Sequence, residues 1–248
     1  MPNGPAFEDA VRIASETPGL GVGIHLSLVQ ERCVAPPDRV RRLAGDDGSL
    51  PVSHTAFIRG YALKRFGPTE IRAEVDAQIK RFLDAGLKPT HLDSHQHLHV
   101  LPGVFDIVLD AAEAAGIQVI RIPLERGGPT AHRTVSRTVQ TWLLSRFCRK
   151  CAQKARKAGM RSADRFWGLG VSGNMNEENL ARTIDRLAPG VNEIMCHPGF
   201  SDPATSERYP WSYNWDDECA ALQSESIRTT IQQRGIRLAN FADAWDAA

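Results

Sequence analysis

A chain of 248 residues with 42% hydrophobic side chains can bury one large α/β core or two small ones. Its formal net charge of +1 gives no electrostatic reason to bind nucleic acid or a membrane surface, and no apolar run is long enough to form a transmembrane segment. Five scattered cysteines suit a reducing compartment, and Met1-Pro-Asn-Gly-Pro has neither the basic stretch nor the apolar core of a secretory leader, so a cytoplasmic protein is expected.

Taken in chain order, strand-like and helix-like segments alternate. Residues 20–28 read as a strand. Residues 69–83 read as an amphipathic helix, with Thr69 as its N-cap. Pro89 to Asp93 is a short strand, and 104–115 a helix closed by Gly116. A strand over 117–122 ends at Pro123, and a long helical span covers about 130–158. A strand over 166–171 and a helix over 177–187 follow. The strand 191–196 runs into His197-Pro-Gly; a helix over 217–234 and a last strand over 236–240 complete the chain. This rhythm favours a parallel sheet with crossover helices, either a barrel or a doubly wound layer, with no linker and no internal repeat. In such folds chemistry gathers where strands end.

The stretch His91-Leu-Asp-Ser-His-Gln-His-Leu-His99 holds half of the eight histidines, with Asp93 among them at the same two-residue spacing. Imidazole and carboxylate suit borderline divalent ions such as Zn²⁺, Mn²⁺, Fe²⁺ or Co²⁺. In an extended segment, side chains two apart share a face, which aims His91, Asp93, His95, His97 and His99 roughly one way until the strand ends and the chain curls. His91/His95 and His95/His99 are also spaced for a helix, but Gly86 and Pro89 on one side and Pro102-Gly103 on the other leave room for a short strand and a loop. A solvated histidine-rich loop is the plain alternative. Asp93 and His95 form the best pair for a metal, or for a metal with an orienting carboxylate.

His25 and His197 also stand at predicted strand ends, so the fold is expected to bring them to the same rim as the 91–99 cluster. Alone, His25 is as well explained as an ordinary core or surface histidine. His197 is an acid–base candidate because an imidazole titrates near working pH. The segment 208–215 places Tyr209, Trp211, Tyr213 and Trp215 at alternate positions; such rings stack on sugars, or simply pack a loop on its domain. Arg146 to Arg165 carries eight Lys/Arg against one acid, Asp164, and reads first as a solvated helix face, with an anion or lipid-headgroup contact as the alternative. Cys148-Arg-Lys-Cys151 lacks a second pair and sits in a helical pattern, so buried or idle thiols are expected there rather than a zinc or redox site.

Three motifs in this order, Gly23-Ile-His25-Leu, the whole 91–99 stretch and Met195-Cys-His197-Pro-Gly-Phe, resemble the YdjC-like carbohydrate deacetylases, a group that includes chitooligosaccharide and hopanoid-associated deacetylases. The closing Arg234-Gly-Ile-Arg-Leu-Ala-Asn-Phe241 is similar to the family's final strand. The resemblance covers nearly the whole chain and implies a single domain over 1–248: a deformed β/α barrel of the glycoside hydrolase/deacetylase type that removes acetyl from an N-acetylated saccharide or glycolipid with one divalent ion, Mg²⁺ or Zn²⁺. It implies His25 and His95 as metal ligands, His197 as the histidine that protonates the leaving amine and Asp93 as a further catalytic group. His97, His99, Trp211 and Tyr213 are expected to bind substrate, and a homodimer is an expected assembly.

One family feature is not found. Members begin with a strand ending in Ala-Asp-Asp-Phe-Gly, which supplies a metal-binding aspartate and a neighbouring base; here the Asp-Asp pairs are Asp46-Asp47 and Asp216-Asp217, in other places. Met1 to Ala10 resembles the family where its second strand gives way to a helix, so the first strand–helix unit is expected to be missing and turnover by this chain to be low. Two imidazoles alone leave a divalent ion under-coordinated. A catalytically inactive sugar-binding relative is the rival reading. A phosphoesterase is a third, without a Gly-rich phosphate loop to support it.

Overall fold

The computed structural model describes residues 1–128 and 135–246, and for 135–141 and 204 the backbone alone. Helices α1 (Phe7–Glu16), α2 (Arg41–Ala44), α3 (His54–Ala62), α4 (Pro68–Asp84), α5 (Val104–Ala114), α6 (Val135–Lys157), α7 (Glu177–Ile184), α8 (Pro203–Arg208), α9 (Trp215–Gln223) and α10 (Glu225–Gln233) are interleaved with strands β1 (Ile24–Leu26), β2 (Leu92–Ser94), β3 (Arg165–Trp167) and β4 (Asn192–Ile194). The architecture is α/β. The chain divides into two compact units, Met1–Arg121 with Lys150–Ser162 and Asn240–Ala248, and Ile122–Arg149 with Ala163–Ala239.

In the first unit β1 and β2 pair in parallel, with Ile24 opposite Leu92, His25 opposite Asp93 and Leu26 opposite Ser94. Parallel bridges from Leu92 to Ile120 and from Val119 to Arg161 extend the pairing. Parallel neighbours need crossovers, and helices supply them. On α4 the apolar residues Ile71, Val75, Ile79 and Phe82 recur at helical spacing and are buried against α5, which buries Val104, Phe105, Val108 and Ala112. Each such Val, Ile or Phe side chain contributes about 1.5–3 kcal/mol relative to exposure. Pro68 opens α4 and Glu70 Oε2 accepts the Gly67 N–H, so Thr69 lies inside the first turn instead of capping it.

The same buried face of α4 carries two polar residues, Glu74 and Gln78, with no exposed surface. Gln78 donates to the Ser27 carbonyl and accepts the Ser27 N–H. Those bonds take Ser27 out of the sheet, so β1 ends at Leu26 within the strand expected over 20–28. Glu74 accepts the N–H groups of Val34 and Ala35, and burial pushes its carboxyl pKa up. Asn3 donates to the carbonyls of Ser27 and Arg32. The loop after β1 is thus held by buried side chains at several points.

In the second unit β3 and β4 pair in parallel, Phe166 opposite Glu193, and Glu125 bridges in parallel to Phe166. The core here is Val171, Met175, Leu180, Ile184, Ala221 and Ile227. The single helix expected over 217–234 is two helices. Ser224 takes an extended conformation between them and its Oγ accepts the Ile227 N–H, capping α10. The strand expected over 236–240 does not form: Ile236 packs on the core from an irregular segment. The strand expected over 117–122 is reduced to the bridges at Val119 and Ile120. The helix expected over 130–158 is α6 from Val135 to Lys157; residues 130–134 lie outside the described ones.

Candidate active site

Strand register builds the first cluster. His25 and Asp93 face each other across β1 and β2, and His25 Nδ1 lies 2.7 Å from Asp93 Oδ1. The other oxygen, Oδ2, receives the Arg121 guanidinium. Arg121 follows the Ile120 bridge, one strand position over. The Asp93 side chain is 5% exposed. Burial alone pushes its pKa up, but the His25 and Arg121 charges and the His25 hydrogen bond prevail and hold it well below the usual carboxylate range. In the neutral ring an ionised acceptor at Nδ1 selects the tautomer with hydrogen on Nδ1, which puts the lone pair on Nε2; the His25 side chain is 35% exposed.

The His95 ring stands edge-on to His25, with centroids 5.8 Å apart. β2 stops at Ser94, and His95–Val100 coils into a tight turn in which Gln96 and His97 have φ of 52° and 55°. The two-residue alternation therefore ends at Ser94, and the curl rather than the strand positions His95, His97 and His99. A third left-handed residue, Gln30, with φ 64°, meets this turn: its Oε1 lies 2.9 Å from His95 Nε2 and 3.0 Å from Gln96 Nε2. Gln96 Oε1 in turn lies 2.9 Å from His54 Nδ1. Non-glycine residues in this region carry strain on the order of 1 kcal/mol or more each, and three of them meet here.

His99 is fully buried. Its Nε2 donates to the Arg121 carbonyl at 2.9 Å, so Nδ1 accepts from Ser94 Oγ at 2.7 Å, and Ser94 Oγ accepts the His99 N–H. Burial lowers the His99 pKa to about 4. This geometry ties the turn to β2 and to Arg121, leaving the ring no face for a substrate. His97 is pushed well below the ordinary imidazole range, chiefly by burial. His91 is lowered to about 4 by burial. Its ring lies 4.1 Å from that of Phe241 and fills the place where a Cβ on Gly23 would stand. That close approach accounts for the glycine two residues before His25.

His197, after β4, belongs to the second unit. Its N–H donates to Glu218 Oε2, and its Nδ1 lies 3.9 Å from the same oxygen. The Tyr213 ring is 5.0 Å from the His197 ring; Trp211 follows at 5.2 Å from Tyr213 and Tyr209 at 4.9 Å from Trp211. These aromatics are half-buried while the residues between them are exposed, as an extended segment requires. The Tyr213 ring fills the place where a Cβ on Gly173 would stand, and its hydroxyl lies 2.8 Å from Ser172 Oγ.

Cys148 and Cys151 are buried, and burial raises the Cys151 thiol pKa to about 12, as idle thiols require. Sequence reasoning missed Arg121, Gln30 and Glu218. Arg121 had a signal, standing at a predicted strand end; Glu218 had none, because an acid in a helix's first turn is commonplace.

A divalent ion can be tested against these donors. His25, with Nδ1 on a carboxylate and Nε2 available, has the form of an imidazole ligand oriented by its second nitrogen's partner. His95 adjoins it. Among the described residues, no group of three or more His, Cys, Asp or Glu side chains gathers into a metal cage. The two described imidazoles nearest each other are those of His25 and His95, and the Nε2 of His95 lies against Gln30 Oε1.

The chain is an α/β protein whose parallel strands β1 and β2 bring His25 and the buried Asp93 together. The sequence profile of the YdjC-like protein family matches residues 1–233, and the chain belongs to that family. A carbohydrate deacetylase of Geobacillus stearothermophilus is 30% identical over 244 residues, 98% of this chain and 84% of that protein. A chitooligosaccharide deacetylase of Enterobacter sp. (strain 638) is 29% identical over 256 residues, 98% of this chain and 85% of that protein. A crystal structure from Enterococcus faecalis V583, of a protein proposed to cleave cellobiose-phosphate, superposes with a TM-score of 0.76 over 97% of this chain and 84% of that one, at 24% identity, and speaks to the fold.

Proposed function

We propose that this protein is a carbohydrate deacetylase, a hydrolase that cleaves the amide C–N bond of an N-acetylated sugar on a deformed β/α barrel. Full-length similarity to relatives named as deacetylases supports the reaction class. The observation in this chain that carries the reading is the His25–Asp93 pair, 2.7 Å across matched strand positions, with Arg121 behind it. It presents one imidazole nitrogen in the state that binds a cation.

In this reading His25 and His95 hold the divalent ion, Mg²⁺ or Zn²⁺. Such an ion supplies charge that polarises an acetyl carbonyl and acidifies water. Asp93 has both oxygens engaged, so its part in catalysis is to keep the Nδ1–H of His25 in place rather than to take a proton from water. His197 passes a proton to the sugar nitrogen as the C–N bond breaks, giving a neutral amine. Trp211 and Tyr213 offer their ring faces to the saccharide. His99 acts by fixing the turn that carries His95, and His97 by packing beside it.

Acetate release from N-acetylated chitooligosaccharides with added Zn²⁺, Mg²⁺ or Co²⁺ tests the reading. The expected result is release that a chelator abolishes. Saccharide binding with no release replaces it with the inactive sugar-binding reading.

A further inference from the structure

We propose that Glu218 is a positioning residue for His197: it anchors the strand-end turn and faces the imidazole Nδ1 with a buried negative charge. The inference rests on the reading of His197 as the proton donor. Glu218 lies on α9 and its side chain has no exposed surface, 0%. Its Oε1 accepts the Met175 N–H at 2.9 Å and its Oε2 accepts the His197 N–H. A carboxyl group that accepts from a main-chain donor at each oxygen is used in its ionised form.

The ring is arranged to feel that charge. His197 Nδ1 lies 3.9 Å from Glu218 Oε2 and is itself buried, although the His197 side chain as a whole is 34% exposed. The exposed part of the side chain lies away from Nδ1, and Nε2 is the ring's other nitrogen, the one left to meet a substrate. A carboxylate this close, shielded from water, favours the imidazolium, which is the form a proton donor needs before the C–N bond breaks. Tyr213, 5.0 Å away by ring centroid, and Cys196, the chain neighbour, are titratable side chains beside it among the described residues. Neither supplies negative charge while its phenol or thiol is protonated. A carboxylate that served only as a clamp would need the two main-chain bonds and nothing of the ring.

NMR titration of His197 in the whole chain separates the two roles, with kcat and KM on N-acetylated chitooligosaccharides measured alongside. The His197 imidazole is expected to titrate above an ordinary imidazole in the wild type, and about one pH unit lower in Glu218→Gln. In that variant kcat is expected to fall on the order of tenfold or more with KM nearly unchanged. A wild-type His197 that titrates at or below the ordinary value overturns the proposal however the variant folds. So does an unchanged titration in a folded Glu218→Gln. His197→Ala judges the underlying reading separately: full turnover there removes the proton-donor role, while the titration still decides whether Glu218 governs the ring.

Discussion

The His25 corner of the first unit and the His197 corner of the second solve one problem in two ways. Each has a histidine at the end of a parallel strand and a fully or nearly fully buried carboxylate behind it. In the first, the carboxylate comes from the neighbouring strand, meets the ring nitrogen at 2.7 Å and is itself held by Arg121. In the second, it comes from a helix, grips the main chain and stands 3.9 Å from the ring. A strand partner in register fixes which nitrogen carries hydrogen; a helix partner fixes where the chain turns. The first arrangement suits a ring that must present one lone pair, the second a ring that must take up and give away a proton.

Breaking the first corner is expected to have the largest effect. Asp93→Asn removes the buried carboxylate that meets both His25 and the Arg121 guanidinium, itself 15% exposed. The expected loss is about 3–5 kcal/mol in urea unfolding, with divalent-ion affinity falling on the order of 10–100-fold by calorimetry. A variant as stable as wild type and equally tight for metal would show that the Arg121–Asp93–His25 chain is ornamental.

Acid sharpens the comparison next. The His99 pKa is lowered from 6.5 to about 4 in the folded protein, mainly by burial. The unfolded chain therefore binds a proton that the folded one refuses. This contribution to stability is complete above pH 6.5 and is lost as pH falls from there towards 4, amounting to about 3 kcal/mol. His91, also lowered to about 4 by burial, acts in the same direction. Urea midpoints across this window should fall with acid, and His99→Gln should flatten the dependence. A wild-type curve level from pH 7 to pH 4.5 would contradict the burial of both neutral rings.

The sequence made the two corners unequally legible. His25, Asp93 and His197 stood out because motif residues at predicted strand ends are conspicuous, and the α/β rhythm followed from apolar spacing in α4, α5 and α7. Strand ends were less readable, because side chains far along the chain end the pairing. Gln78 withdraws Ser27 from β1, and no local pattern near Ser27 announces it. The alternation over 91–99 predicts a shared face until the strand ends and the chain curls, but not where; left-handed Gln96 and His97 set that curl directly after Ser94. Glu218 was invisible because its partners, Met175 and His197, are tertiary contacts.

The smallest expected effects come from a glycine against a ring in each corner. A Cβ on Gly23 would lie 2.3 Å from the His91 ring, and one on Gly173 would lie 2.1 Å from the Tyr213 ring. Both alanine variants must push an aromatic aside, at about 1–3 kcal/mol. The backbone separates them. Gly173 has φ 77°, a conformation that a side chain resists, so Gly173→Ala adds strain that Gly23→Ala does not. Gly173→Ala should therefore be the less stable of the two in urea unfolding. Equal losses would mean that steric displacement of the ring sets both, with the left-handed turn at Gly173 relaxing to accept the side chain.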